Sequence, residues 1–317
     1  MHSAPEAVAR QPAARRLHIG LVVGSSVDWH ARVLTRAFAA LGAASAPVRL
    51  TECGFATSNP IGLTIDGFGA GLPDALLVRD MAGGSFEAVT LRLGLLHSAR
   101  EAGVMVWNDA RAIERCVDKS MTSFLLARAG LPTPPTWAVE SRDAAAAIVA
   151  REAAGSPLVL KPLFGSQGRG LQLIRTPDDL PGPDAVRGVY YLQRFVGVDR
   201  DGFRDFRLLV SRGRVIAAMA RHSPGWITNV KQGGRPVPVA ANDDMRDLAV
   251  RAAAAVGAAF AGVDVLYDGD GRLTVLEVNS MPAWSGLQKV TPFDIAGAIA
   301  GDLIAAAGER LTQGLGA

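Results

Sequence analysis

Cysteine is nearly absent from this chain. Cys53 and Cys116 are the only two, no C-x-x-C occurs, and the five histidines (His2, His18, His30, His97, His222) include no pair at ligand spacing. Neither a disulfide framework nor a zinc site is expected. Long apolar runs are missing too: no stretch approaches about 18 apolar residues, and the first 16 residues carry arginines without an apolar core. No membrane partner is expected, and the location expected is cytoplasmic. Nor is there an excess of one charge, because 33 basic residues face 30 acidic ones for a net charge of +3. The pI of about 9.1 thus reflects a small excess spread over a long chain, without the basic stripe that nucleic-acid binding requires. Lysine is scarce, with only Lys119, Lys161, Lys231 and Lys289 in a chain whose cations are otherwise arginine. A lysine is a compact point charge where arginine is a planar fork, so each marks a position to test for phosphate contact.

What is present is a globular composition, 49% hydrophobic and 20% charged over 317 residues, long enough for two domains at roughly 150 residues each. Residues 1–16 read as a disordered tail. Apolar runs at 17–23, 48–50, 75–78 and 104–107 alternate with helical patterns from Val33 and over 86–102, which predicts a small parallel α/β domain over 17–110. Inside it, 54–73 holds five glycines and two prolines with no clear period and reads as a long functional loop. The LPTPPT stretch at 131–136 is a break in the pattern. Beyond a helix over 142–154, apolar runs follow too closely for crossover helices, so an antiparallel sheet is predicted. A helix over 243–259, strands over 262–267 and 273–279, and a helix over 292–308 complete the α+β part.

The segment GVDVLYDGDGRLTVLEVNSMP, 262–282, carries the most chemistry. Glu277 and Asn279 are two apart on a strand and share a face. With Asp270 and Gly271 as a two-residue turn, Asp264 falls opposite Glu277. Two carboxylates and an amide oxygen on one face suit a hard divalent cation that keeps positions open for phosphate oxygens; an isolated E-x-N is also compatible with a solvated hairpin face. LVLKPLFGSQGRGL, 158–171, reads as a strand ending near Lys161, then a loop with Gly165, Gly168 and Gly170. Such glycines let backbone N–H groups approach an anion, although the spacing is neither a P-loop nor a Rossmann fingerprint. An ordinary glycine hairpin is the alternative. GSSVDWH after the first strand also lacks the dinucleotide fingerprint, which argues against a nicotinamide dehydrogenase.

Together and in order, DKSMT, LVLKPLFGSQGRG, YLQRFV, DFR, AMARHSPGWITNVKQGG and GVDVLYDGDGRLTVLEVNSMPAWSG resemble the ATP-grasp superfamily, and within it the RimK-like α-L-glutamate ligases, from about 110 to 300. The resemblance implies an ATP-grasp fold, α/β and α+β, with an N-terminal Rossmann-like pre-ATP-grasp domain (17–110), a central subdomain (111–190) and a C-terminal subdomain (191–317). It implies that Lys119, Lys161 and the loop of Gly165, Ser166, Gln167 and Gly168 contact ATP phosphates. By the same resemblance Gln193, Arg194, Phe195 and Val196 border adenine, Asp205 lies near the nucleotide, and Ile227, Thr228 and Asn229 border the phosphates. Asp264, Glu277 and Asn279 match the Mg²⁺ ligands, with Mn²⁺ as an alternative ion. Where Arg194 stands, many relatives carry Glu.

The implied reaction is ATP-dependent amide formation through an acyl phosphate, with Arg221 stabilising charge at the reacting carbonyl. The expected partners are L-glutamate and a carboxylate acceptor, a small cofactor precursor of pterin or furan type; homo-oligomers are compatible with the sequence. Arg207, Lys231 and Arg235 are the candidates for recognising the acidic substrate. Rival readings are glutamylation of a protein such as a ribosomal protein, another ATP-grasp branch, and an ATP-binding module without turnover, whose signature would be a lost metal ligand. His222 reads as a polar loop residue, and Trp226 and Trp284 as loop anchors.

Overall fold

The computed structural model describes residues 15–24, 28–165, 167–198 and 202–314. Most of the expected tail lies outside these residues; Arg15, at its end, is in place and pairs with Asp74 at 2.6 Å.

The first region is built on β1 (His18–Val23), α1 (Trp29–Ala40), β2 (Ala44–Arg49), β3 (Gly54–Ala56), β4 (Gly62–Thr64), β5 (Ala75–Val78), α2 (Phe86–Glu101) and β6 (Met105–Trp107). The apolar runs form a parallel sheet in the order β2-β1-β5-β6. The chain reverses direction across the sheet between β1 and β5, and open α/β sheets bind ligands outside the carboxyl ends of strands at such a point. The glycine-rich 54–73 segment is not without structure: β3 and β4 pair within it as a short antiparallel hairpin, and Leu63 and Ile65 enter the core. Three-residue strands are too short to show alternation in sequence.

Two helices follow, α3 (Ala110–Val117) and α4 (Lys119–Arg128), then β7 (Thr136–Val139), α5 (Arg142–Glu152), β8 (Leu158–Lys161), β9 (Gln172–Ile174) and β10 (Tyr190–Arg194). The last element group is β11 (Phe203–Ser211), β12 (Arg214–Ser223), β13 (Arg235–Pro238), α6 (Asp243–Val256), β14 (Phe260–Tyr267), β15 (Leu273–Asn279), α7 (Ser285–Gln288) and α8 (Ile295–Gly314). The closely spaced strands are antiparallel but form two sheets, β7-β10-β8-β9 and β13-β12-β11-β14-β15. The expected boundaries shift accordingly. A border at 190/191 would cut β10, which pairs with both β7 and β8. Ala112, Cys116 and Leu126, from the helices expected in the central subdomain, share a core with Leu208, Val263 and Val278 of the C-terminal sheet. The chain's end also returns to its beginning: Ile295, Ile299 and Leu303 of α8 pack with Leu34 and Phe38 of α1. Contacts of this kind follow from tertiary packing, to which local periodicity is blind.

Asn108 locks the first region to the last. Buried at 1% exposure, it donates to the Phe260 and Ser280 carbonyls at 2.5 and 2.6 Å and accepts from Phe260 N–H at 2.9 Å. A side chain so fully paired fixes the loop after β15 against the first sheet.

Candidate active site

Two cavities meet above β14 and β15. One, of about 850 Å³, runs between the two antiparallel sheets. The other, of about 1860 Å³, extends from it toward the carboxyl ends of β1 and β5. Lys161, Gly168, Leu171, Asn229, Asp264 and Glu277 line both and mark the junction.

Asp264 stands opposite Glu277 as expected, yet the turn differs from the expected two-residue loop. Tyr267 pairs with Leu273 and Val265 with Val275, while Asp264 pairs with Glu277. Leu276 is therefore a bulged residue that shifts the register by one. Asn279, opposite Gly262, turns its Oδ1 to the Met281 N–H at 2.9 Å. Glu277 has no hydrogen bond or ion pair among the described residues, while its charge acts on Lys119 and Lys161.

Asp264 is differently placed. Arg207 holds it in a fork, both bonds 2.7 Å, and Arg221 Nη2 reaches it at 2.8 Å. Burial would raise this carboxyl, but the two guanidiniums overcome it and hold it down at about 2. Arg207 and Arg221 thus offset the expected repulsion between Asp264 and Glu277. Arg221 also forks onto Asp205 at 2.7 and 2.5 Å, and Thr228 Oγ1 donates to Asp205 at 2.7 Å. Burial opposes the Arg221 charge, and Asp264 and Asp205 more than restore it. Arg221 is 3% exposed, lines the first cavity and is committed to two carboxylates.

Lys161 ends β8 and donates to Gln193 Oε1 at 2.6 Å. Gln193 Nε2 continues to Thr136 Oγ1 at 3.3 Å, and the Tyr191 hydroxyl meets Ser123 Oγ at 2.9 Å. Burial pushes Lys161 down to about 8, against the pull of Glu277. Lys119 is the first residue of α4, where a cation opposes the helix dipole. Asp118 caps that helix through the Ser120 and Met121 N–H groups, and Lys119 Nζ donates to the carbonyls of Leu163 and Gly165 at 3.2 and 2.8 Å. A solvated helix position is excluded by these bonds. The loop between β8 and β9 carries left-handed Gln167 (φ 64) and Gly168 (φ 70); Ser166 lies outside the described residues. A β-carbon on Gly168 would stand 3.0 Å from Ile227 Cγ2, so the loop already touches the opposite wall.

Phe195 and Val196 line the first cavity with Trp226, Ile227 and Thr228, and Phe195 meets Trp226 edge to face at 6.0 Å. Gln193 and Arg194 line this cavity too, and Arg194 pairs with Glu152 at 2.5 Å and lies over Trp137. Trp284 is buried beside Trp29, His30 and Phe260, an anchor as expected. His222, expected in a loop, is on β12 opposite Arg235. Lys231 and Arg235 are exposed and line neither cavity. Sequence reasoning missed Arg79, which lines the second cavity. Its position directly after the apolar run 75–78, at the carboxyl end of a parallel strand, was the available signal.

A nucleotide-sized cleft between two antiparallel sheets, with two lysines beneath a glycine loop and a carboxylate on the facing strand, defines the ATP-grasp class. The RimK-like ATP-grasp domain model matches residues 116–303. The chain belongs to this family and is a ligase. Similar proteins include the tetrahydromethanopterin:alpha-L-glutamate ligases of Methanococcus maripaludis, 37% identical over 61% of this chain and 67% of that one, and of Methanosarcina acetivorans, 33% identical over 67% and 74%. A probable alpha-L-glutamate ligase of Alkalilimnicola ehrlichii is 34% identical over 68% and 75%. Among solved structures, the ATP-grasp ligase PsnB with a phosphomimetic variant of its minimal precursor, Mg and ADP superposes with a TM-score of 0.71 at 24% identity, covering 91% and 98%. That likeness is one of fold. Among the described residues no helix is long and apolar enough to cross a membrane.

Proposed function

We propose that this ligase adds L-glutamate to a carboxylate of a small pterin-type cofactor precursor, using ATP and passing through an acyl phosphate. The observation that carries the reading is the junction of the two cavities. There Lys161 and Glu277 face both a nucleotide-sized cleft and a larger chamber, and the Methanococcus and Methanosarcina relatives are tetrahydromethanopterin:alpha-L-glutamate ligases.

In the first half-reaction an acceptor carboxylate oxygen attacks the γ-phosphorus of ATP, the bond to the bridging oxygen breaks, and ADP leaves. Lys161 and Lys119 neutralise phosphate charge; the bonds of Lys119 to the Leu163 and Gly165 carbonyls and that of Lys161 to Gln193 hold each ammonium group in place before the nucleotide arrives. Phe195, Trp226 and Ile227 wall the first cavity with apolar surface for adenine. The glycine loop against Ile227 keeps water from the acyl phosphate. In the second half-reaction the glutamate amine attacks the acyl carbon, phosphate departs with the C–O bonding pair, and the amine's proton is lost to solvent.

Glu277 and Asn279 suit Mg²⁺, offering one unpaired carboxylate and an amide oxygen on one face; few protein ligands are typical of a cation finished by phosphate oxygens. Among the described residues no three His, Cys, Asp or Glu side chains converge as a protein cage. Asp264, paired to two arginines, contributes by fixing Arg207 and Arg221. When bound, the ion would supply Lewis-acid neutralisation of phosphate charge.

The test is incubation with ATP, Mg²⁺, L-glutamate and a panel of reduced pterin, deazaflavin and protein acceptors, read by mass spectrometry for one added glutamyl unit and by ADP release. A glutamyl pterin is the expected product. Equal ligation of alanine and glutamate would refute the amino-acid assignment, and product on the protein acceptor alone would refute the small-molecule one.

A further inference from the structure

Arg79 is a cation with no ion-pair partner among the described residues. It follows β5 directly, is 6% exposed, and lines the larger cavity but not the nucleotide cleft. Its Nη1 donates to the Pro282 carbonyl at 2.9 Å, and its guanidinium lies over Trp284, 4.7 Å from the ring centroid. Nε is buried and has no hydrogen-bond partner among the described residues. No carboxylate among those residues forms an ion pair with it; Asp28 and Asp80 lie near enough to act on its charge, but Asp28 is committed to capping α1 at Ala31 N–H and to His30. A buried guanidinium unmatched in this way is costly unless an anion completes it. The location is the crevice at the carboxyl ends of β1 and β5, where the sheet reverses direction.

We propose that Arg79 takes a carboxylate of the substrates other than the one that is phosphorylated, and so makes the chamber selective for acidic ligands. The inference rests on the ligase reading for the nature of the substrates. The reacting carboxylate must lie at the junction beside Lys161 and Glu277, which Arg79 does not line, so Arg79 serves a second carboxylate. Its planar fork, oriented by the Pro282 carbonyl and the Trp284 face, suits that group. The source is either the incoming acidic amino acid or the acceptor, and the role proposed from sequence for Lys231 and Arg235 passes to a residue that faces the chamber.

The test uses protein loaded with a non-hydrolysable ATP analogue and Mg²⁺, titrated calorimetrically with L-glutamate, L-glutamine and L-isoglutamine. Wild type is expected to bind glutamate about tenfold or more tighter than whichever amide lacks the recognised carboxylate, and Arg79→Met to bind the two alike. If the acceptor is the source, glutamate binding is the same in both proteins and the acceptor KM rises by a similar factor in Arg79→Met, with the KM for ATP unchanged. Arg79→Lys, which keeps the charge and loses the fork, serves if the Met variant does not fold, and is expected to show a smaller loss for the same substrate only. Unchanged recognition of both substrates overturns the proposal, as does an equal loss for ATP, glutamate and acceptor, which would mark a prop for the 280–285 loop. The titration needs no turnover: discrimination by Arg79 without any glutamyl product would refute the ligase reading alone, and product with unaltered constants would refute Arg79 alone.

Discussion

Asp264 faces Glu277 across β14 and β15 because Leu276 bulges out of the ladder between them and the turn. Each carboxylate then has its own environment, one forked by Arg207 and the other without a hydrogen bond or ion pair among the described residues. Glu277→Gln is therefore expected to lower the thermal unfolding midpoint only slightly, since no hydrogen bond or ion pair among the described residues is lost and only its charge on Lys119 and Lys161 is removed, while abolishing Mg²⁺-dependent ADP release. ADP release at the wild-type rate and ordinary Mg²⁺ concentration would falsify the assignment.

Lys161 supplies a pH signature. In the nucleotide-free protein its ammonium is held down to about 8 from 10.5, so between these values the unfolded chain binds more protons and stability rises with pH. ATP affinity should run the other way, falling as pH climbs through about 8 and the phosphate-facing charge is lost. Lys161→Arg is expected to flatten that profile, and Lys161→Ala to weaken ATP binding by about 1.5–3 kcal/mol at pH 7. Calorimetric titrations from pH 6.5 to 9.5 measure both effects.

The longer strands and helices were legible because their apolar periods are local, which the three-residue strands β3 and β4 are too short to show. Asp264 and Glu277 were placed opposite one another for a partly mistaken reason: a longer turn and a bulge at Leu276 together restore the register that a two-residue turn would have produced. The pairing of Asp264 with Arg207 and Arg221 was not legible, since β11, β12 and β14 are brought side by side only by the sheet. The surroundings of Arg79 were hidden for a related cause, although its place at the end of an apolar run was not. Its chamber is shared between the carboxyl end of β5 and the 280–285 loop, about 200 positions away in sequence, and no motif spans such a distance.

Asp264 is expected to matter for stability as well as catalysis. Its carboxyl, depressed to about 2 from 3.8, contributes stability that is present above the higher value and is lost as pH falls through the lower one. Asp264→Asn leaves the half-buried Arg207 without its fork, at a cost of about 3 kcal/mol, the low end for a broken buried pair. The combined Asp264→Asn, Arg207→Met variant should recover part of that loss, because the stranded charge is gone. Urea midpoints at pH 7 measure each; a double variant no more stable than the Asn single variant would show that the arginine is not the cause.

Gly168 and Gly170 separate closure of the loop from its local geometry. Both are left-handed, at φ +70 and +73, and a side chain at either is strained by roughly 1–2 kcal/mol. Their surroundings differ. A β-carbon at Gly170 would meet Pro162 of the same loop at 3.0 Å, whereas at Gly168 it would meet Ile227 at 3.0 Å and Asn229 at 3.5 Å on the opposite wall. Gly168→Ala must therefore hold the loop away from Ile227, while Gly170→Ala leaves that contact open. Since the loop is mostly solvent-exposed, both variants should unfold globally near the wild-type midpoint. The expected difference is in function, with Gly168→Ala losing more ATP affinity and releasing more ADP without ligation, as water reaches the acyl phosphate. Comparing ADP formed with amide formed in the two variants measures that leak, and equal ratios would show that the approach of Gly168 to Ile227 does not seal the site.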